Sequence, residues 1–192
     1  MQQSEAMQRD SGFATDGASA LQPGALTSYH LGPSARVWVR PPLPALAPFV
    51  DLLVYTENRV SAGTVSTFDL FPGPCPWLVF QLDSPLVSTG KAWNGRRVVL
   101  PRAGASGFFD FPMTSTGYGP TTDISVRIKP EAASLLLGTG NDELRNTHLD
   151  LADLWGREGD VALDRASSAS SREDAVAAIE LALLGRVARL SQ

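Results

Sequence analysis

Between residues 64 and 130 the chain is cut into short apolar runs: "TVSTFDLF" (64–71), "PWLVFQL" (76–82), "LVSTGKAW" (86–93), "RRVVL" (96–100), "GFFDF" (107–111) and "TTDISVRIKP" (121–130). Pro-Gly-Pro at 72–74, Asp83-Ser84-Pro85, Asn94-Gly95 and Pro120 separate them, and each is a turn-former. Runs of this length at this spacing read as strands of a sandwich or barrel, not as helices. After Ile128 the pattern turns helical. That change of period predicts an α+β chain, sheets first and helices after.

Individual stretches sharpen the outline. "ARVWVR" alternates as a strand and is stopped by the prolines at 41, 42 and 44. "PALAPFVDLLVYTE" reads as a short helical turn entering a strand, because Pro48 and the β-branched end oppose a longer helix. "WLVF" is apolar on both faces, so its strand is expected at the centre of a sheet. Asn94-Gly95 tolerates the positive φ of a two-residue type I′ turn, which predicts a hairpin there. Pro130 stands at a helix start and Gly138 at its end, while Asp150 is placed to cap "LADLWG". "DVALDRASSAS" is a weaker helix. Ser170 and Glu173 have the spacing of a capping box opening a last helix, "EDAVAAIELALLGRVARLSQ". On that helix Val176, Ile179, Leu183, Val187 and Leu190 fall on one stripe, with Glu180, Arg186 and Arg189 elsewhere on its surface. Residues 1–28, polar and without periodicity, read as a disordered arm. Residues 29–129 then form the sheet region and 130–192 the helical segment.

The 192 residues suit one domain with a helical annex, and 43% apolar with 19% charged is ordinary globular composition. Charge is uneven: residues 1–129 carry ten basic and nine acidic side chains, residues 130–192 six and eleven. The helical end is therefore a poor candidate for gripping DNA. One cysteine, Cys75, excludes an intrachain disulfide framework and fits a reducing compartment. With no signal-peptide pattern and no run long enough to span a membrane, a cytoplasmic location without membrane association is expected.

The chemistry that is missing narrows the function. Two histidines, His30 and His148, and one cysteine cannot assemble a zinc site or a His-rich metal centre, so neither metal nor cofactor is expected. "GASGF" (104–108) fails the nucleophile-elbow pattern because Phe108 stands where glycine is needed. "GTGNDE" (138–143) lacks the third glycine of a dinucleotide fingerprint. No catalytic residue is nominated. The aromatic side chains Phe80, Trp93, Phe109 and Phe111 suit the lining of an apolar pocket. On "TTDISVRI" the residues Asp123, Ser125 and Arg127 share one face; if it lines a cavity, Arg127 is placed to meet an anionic group. His148, beside Asp150, reads as a helix-entry residue, and Cys75 as a small packed residue.

The order of "RPPLPALAPFVD" (40–51), "FPGPCPWLVFQLD" (71–83) and "IKPEAASLLLGTGNDELRNTHLDLADLWG" (128–156) resembles the N-terminal effector-binding and dimerisation domain of AraC-type transcriptional regulators. The most specific part is the set Pro130, Leu137, Gly138, Glu143, Leu144, Asn146, Leu149, Leu151, Leu154, Trp155 and Gly156. The resemblance implies a cupin-like β-barrel that holds a small-molecule effector, with an N-terminal arm as a lid. It also implies a homodimer formed through the last helix by Val176, Ile179, Leu183, Val187 and Leu190. DNA would be bound only through a following domain of two helix-turn-helix units, which this chain does not contain. Three alternatives stand beside that picture: the stripe packs on its own barrel; the chain is a metal-free cupin-type isomerase or lyase; or it is a dimerisation module with a filled barrel.

Overall fold

A computed structural model gives the structure of residues 26–31 and 34–190. The expected arm at 1–28 thus lies almost wholly outside the described residues, although β1 (Thr27–Leu31) begins one position before its expected end. Ten further strands follow: β2 (Ala35–Arg40), β3 (Val50–Asn58), β4 (Val65–Leu70), β5 (Trp77–Gln81), β6 (Val87–Gly90), β7 (Arg97–Val99), β8 (Ala103–Ser106), β9 (Met113–Tyr118), β10 (Thr121–Ile128) and β11 (His148–Asp150). The helices are α1 (Ala133–Leu137), α2 (Asn141–Leu144), α3 (Leu151–Trp155), α4 (Arg157–Ser167) and α5 (Arg172–Leu190).

The strands form two antiparallel sheets, one of seven strands in the order β1-β2-β3-β10-β5-β8-β11 and one of four in the order β4-β9-β6-β7. The class is α+β, a β-sandwich with C-terminal helices. β5 lies between β10 and β8, inside the larger sheet, as its two apolar faces require. "GFFDF" is not a strand: Phe109 makes an isolated bridge to Gly73, and Gly107 sits so close to α2 that a Cβ there would fall 1.6 Å from the Leu144 carbonyl oxygen. β8 and β9, which gave no clear pattern in sequence, take its place.

The Asn94-Gly95 turn forms with both residues at positive φ (52° and 72°), closed by the Arg96 N–H donating to the Trp93 carbonyl at 2.9 Å. The hairpin between β6 and β7 is longer than a two-residue loop, however, because residues 91–93 coil into a 3₁₀ turn instead of extending the strand. Pro130 opens a 3₁₀ turn leading into α1, and Gly138 ends that helix at φ 76°. Asp150 Oδ1 accepts the Ala152 N–H at 2.9 Å, capping α3 as its position predicted. The cap of α5 lies one residue further on than expected. Ser171 Oγ, not Ser170, accepts an N–H, that of Asp174 at 3.1 Å, and the Asp174 carboxylate accepts from the hydroxyls of Ser171 at 2.7 Å and Ser170 at 3.1 Å.

One face of the larger sheet carries the main core. Leu53, Tyr55, Leu78, Phe80, Ile124, Val126 and Ile128 pack against Leu136, Leu137, Leu144, Leu151, Trp155, Leu163, Val176, Ile179 and Leu183 of the helices. The stripe on α5 is thereby accounted for within the chain: Val176, Ile179 and Leu183 are 0% exposed, and Val187 packs half-buried on the same core. Their expected role as a dimer seam is corrected, because a side chain already buried in its own core has no surface left to offer a partner. Leu190 is half-buried at the end of the helix. Glu180, expected on the surface, is buried too. It pairs with Arg40 of β2 and accepts the Leu43 N–H at 3.3 Å, joining α5 to the sheet.

Candidate functional site

Strand parity leaves the opposite face of the larger sheet looking at the smaller one, and the registers place its side chains in rows. Leu52, Arg127, Trp77, Ser106 and His148 form one row across β3, β10, β5, β8 and β11. Val54, Ser125, Val79 and Gly104 form the next, and Thr56, Asp123 and Gln81 the third. β10 therefore presents Thr121, Asp123, Ser125 and Arg127 in a line down the middle of this face. From the smaller sheet Ser88 and Ser115, paired across β6 and β9, are both buried. Asn58 ties the sheets together, its Nδ2 donating to Ser66 Oγ at 2.9 Å.

This polar lining is incompletely satisfied. Among the described residues, Asn58 Oδ1, Ser115 Oγ and His148 Nε2 are buried without a hydrogen-bond partner. A buried polar atom in that state costs roughly 1–3 kcal/mol, so a lining that collects several is arranged for something other than stability. Asp123 is half-buried, and desolvation raises its carboxyl to about 6 against the opposing hydrogen bond from Ser125 Oγ at 3.0 Å. Its proton is thus held close to neutral pH. Arg127 pairs with Asp51 at 3.3 Å and lies over the Trp77 ring at 5.9 Å. Asp51 therefore competes with any anion for Arg127, whose Nε is buried without a hydrogen-bond partner among the described residues.

An aromatic cluster closes one end. Trp93, carried by the 3₁₀ turn after β6, stacks on His148 with centroids 5.1 Å apart and planes 20° apart. Phe109 lies 5.0 Å from His148 and 5.8 Å from Trp93. Burial among these rings pulls the imidazole down to about 4, so it is neutral and unable to carry charge at physiological pH.

Of the residues nominated from sequence, Trp93 and Phe109 converge in this cluster and Arg127 shares the lining. Phe111 stands apart, half-buried, with Lys91 Nζ 4.7 Å over its ring. Phe80 is corrected: it is 0% exposed on the helix-covered face, where its partner across β10 is Ile124. Asn58, Ser88, Ser115 and His148 were missed. No spacing marks them; only the alternation of "TTDISVRI" pointed to a polar inner face. Cys75 is half-buried, and burial raises its thiol, with Arg127 nearby acting in the opposite sense. Among the described residues no group of three or more His, Cys, Asp or Glu is gathered, and no helix is long and apolar enough to cross a membrane.

A family model described as a domain of unknown function, DUF6597, matches residues 39–150, spanning β2 to β11. No curated protein matches. Among solved structures the chain is similar to vicilin from hazelnut, Corylus avellana, at 11% identity and TM-score 0.38, over 53% of this chain and 31% of that one. It is also similar to KdgF from Halomonas sp., at 10% identity and TM-score 0.38, over 53% of this chain and 84% of that one. A third is a predicted oxalate decarboxylase from Thermotoga maritima, at 16% identity and TM-score 0.32, over 58% of this chain and 95% of that one. The chain thus spans about a third of the vicilin chain it resembles.

Proposed function

The chain belongs to the DUF6597 family, and on that premise we propose that it is a cupin-like sensor domain of the AraC type, binding a small-molecule effector between its two sheets. The observation that carries this reading is the polar line of β10, Asp123, Ser125 and Arg127, on the same inner face as buried, unpartnered atoms of Asn58 and His148, with the unpartnered Ser115 Oγ on the smaller sheet. A small molecule that supplies those partners, with one flat face against Trp93 and Phe109, removes the desolvation penalty those atoms carry. The sensor then acts on DNA through a following domain.

In this reading the chain works as a homodimer, with the pairing surface moved from the buried stripe of α5 to the outer side of α4 and α5. There Val161 and Leu181, 39% and 63% exposed, flank a shallow groove of about 280 Å³. Leu181→Glu is expected to dissociate the dimer in sedimentation while leaving the fold intact. A monomeric parent chain refutes the pairing.

A thermal-shift panel of sugars, small acids and aromatic compounds tests effector binding, since a ligand held only by the native state raises its apparent stability. A compound that shifts the wild type but not Ser125→Val is the expected result. A panel without any shift counts against the proposal. One observation favours a second reading, a metal-free cupin-type isomerase or lyase: an Asp123 carboxyl near 6 lies in the range useful for general acid–base chemistry. Turnover of the bound compound, lost in Asp123→Asn while binding persists, distinguishes that enzyme from a sensor.

A further inference from the structure

Phe109 is carried by the irregular segment 107–112, which leads from β8 of the larger sheet to β9 of the smaller one. Besides the bridge from Phe109 to Gly73, this segment is held from the loop ahead of β11. The Gly107 N–H donates to the Thr147 carbonyl at 3.1 Å, and the Asn146 N–H to the Phe108 carbonyl at 2.7 Å. The Asn146 side chain then uses both ends of its amide: Oδ1 accepts the Asp110 N–H at 3.0 Å, and Nδ2 donates to Asp110 Oδ2 at 2.8 Å. Arg145 Nε donates to the same oxygen at 2.9 Å.

Asn146 sits at φ 57°, a left-handed conformation that glycine adopts at less cost. Glycine would serve the turn; the asparagine amide adds a donor and an acceptor, and both are spent on Asp110. Arg145 first, and Asn146 second, hold the Asp110 carboxyl below its ordinary range, so it stays ionised and the bonds are charge-assisted. Asp110 and Arg145 are exposed, and an exposed pair adds little to overall stability. What the clasp fixes is local. Phe109 precedes Asp110 by one residue, His148 follows Asn146 by two, and the two rings lie 5.0 Å apart.

We propose that Asp110 and Asn146 are positioning residues of the effector site: from the surface they set Phe109 against His148, and so build the aromatic wall that the effector's flat face meets. That the wall belongs to an effector site rests on the sensor reading; that the clasp sets the wall is independent of any effector.

The His148 imidazole reports on the wall in the effector-free chain. Trp93 and Phe109 displace its ring C–H resonances, and burial holds its titration down at about 4. His30→Gln removes the other histidine signal, and the remaining resonances are followed by NMR across pH in the full chain. Asn146→Gly, which keeps the positive φ and loses the amide, should move them toward those of a free imidazole. It should also raise the proton affinity of His148 about tenfold, toward its ordinary value. Asp110→Ala should do the same, although losing a nearby carboxylate would by itself lower that affinity. The urea midpoints of both variants should stay close to the parent's, because the bonds are exposed. Phe109→Leu, which keeps apolar bulk and removes the ring, should displace the same resonances with the clasp intact. Unchanged resonances and titration in Asn146→Gly and Asp110→Ala overturn the proposal, as does a Phe109→Leu variant without displacement. Urea midpoints that fall in step with the imidazole response overturn it too, since the bonds would then hold the fold and not the wall. A compound panel without any shift, by contrast, counts against the effector reading and leaves the clasp standing.

Discussion

The two faces of the seven-stranded sheet are built by the same strands and alternate residue by residue, yet they follow different rules. The face under the helices is apolar across its centre, where Leu53, Leu78, Phe80, Ile124, Val126 and Ile128 meet helix side chains, and its buried charge, Arg40, is paired with Glu180 of α5. The face toward the smaller sheet places Asp123, Ser125 and Arg127 on the same strand, β10, where close packing would call for apolar residues. Its apolar cluster, Val37, Val39, Leu52 and Val54, lies on β2 and β3, with Trp77 of β5 packed against it. The first face holds the domain together; the second gives up apolar packing along β10 for polar groups, the ones on which the proposed effector site rests.

If that division is right, damage to the helix-covered face dominates any stability measurement. Leu183→Ala removes a fully buried side chain between α5 and the sheet and should cost about 2–5 kcal/mol in denaturant unfolding. Replacing both Ile179 and Leu183 with Glu should abolish folding, where a dimer seam would yield folded monomers. Recovery of such monomers would show that α5 is not part of the core.

The next test concerns two titrating groups of the inner face whose effects on stability have opposite signs. Asp123 has a folded-state value of about 6 against an ordinary 3.8, so the folded form holds the proton more tightly and stability falls as pH rises from about 4 to about 6. His148 has a folded-state value of about 4 against 6.5, so the unfolded form takes up the proton first and stability falls as pH drops from 6.5 toward 4. Each effect is worth at most about 3 kcal/mol, and over the shared window they largely cancel. Asp123→Asn should therefore unmask a stability that rises with pH between 4 and 6.5. His148→Phe should unmask one that falls over the same range, to which the raised Glu180 carboxyl adds. Urea midpoints across that range decide it, and parallel slopes in the two variants would mean that the groups are solvated, not enclosed.

The two faces also differ in how much of them the sequence announces. The apolar face writes a period into the chain: β2, β3, β5 and β10, the turn that Pro130 opens ahead of α1 and the stop of α1 at Gly138 were readable, because burial on one side forces regular spacing. Phe80 was misassigned for a related reason. "WLVF" is apolar at every position, so periodicity could not say which residues point to the helices and which to the smaller sheet. β8 and β9, "AGAS" and "MTSTGY", were missed because their inward positions are small or polar and leave no alternation to detect. The aromatic cluster was half visible. Trp93 and Phe109 stood out by type, whereas His148 meets them only because β11 pairs with β8, a register no local signal encodes. The α5 cap shows the remaining error, one residue, since Ser170 and Ser171 each have an acid three positions ahead.

The smallest expected effect is the one that separates the faces most sharply, because its sign reverses. On the apolar face, trimming a side chain opens a cavity and destabilises. Ser115 on the inner face is 3% exposed, and its Oγ has no hydrogen-bond partner among the described residues. Ser115→Ala removes one oxygen that had lost its water without gaining a partner, and the desolvation it no longer suffers outweighs the small loss of packing. The variant should be more stable than the parent by about 1 kcal/mol in chemical denaturation, with the m-value unchanged. An effector that stabilises the parent should stabilise Ser115→Ala less, because the hydroxyl is one of the groups it satisfies. If the alanine variant is instead destabilised by 1 kcal/mol or more, Ser115 is a packed member of a filled interior, and the inner face obeys the same rule as the outer one.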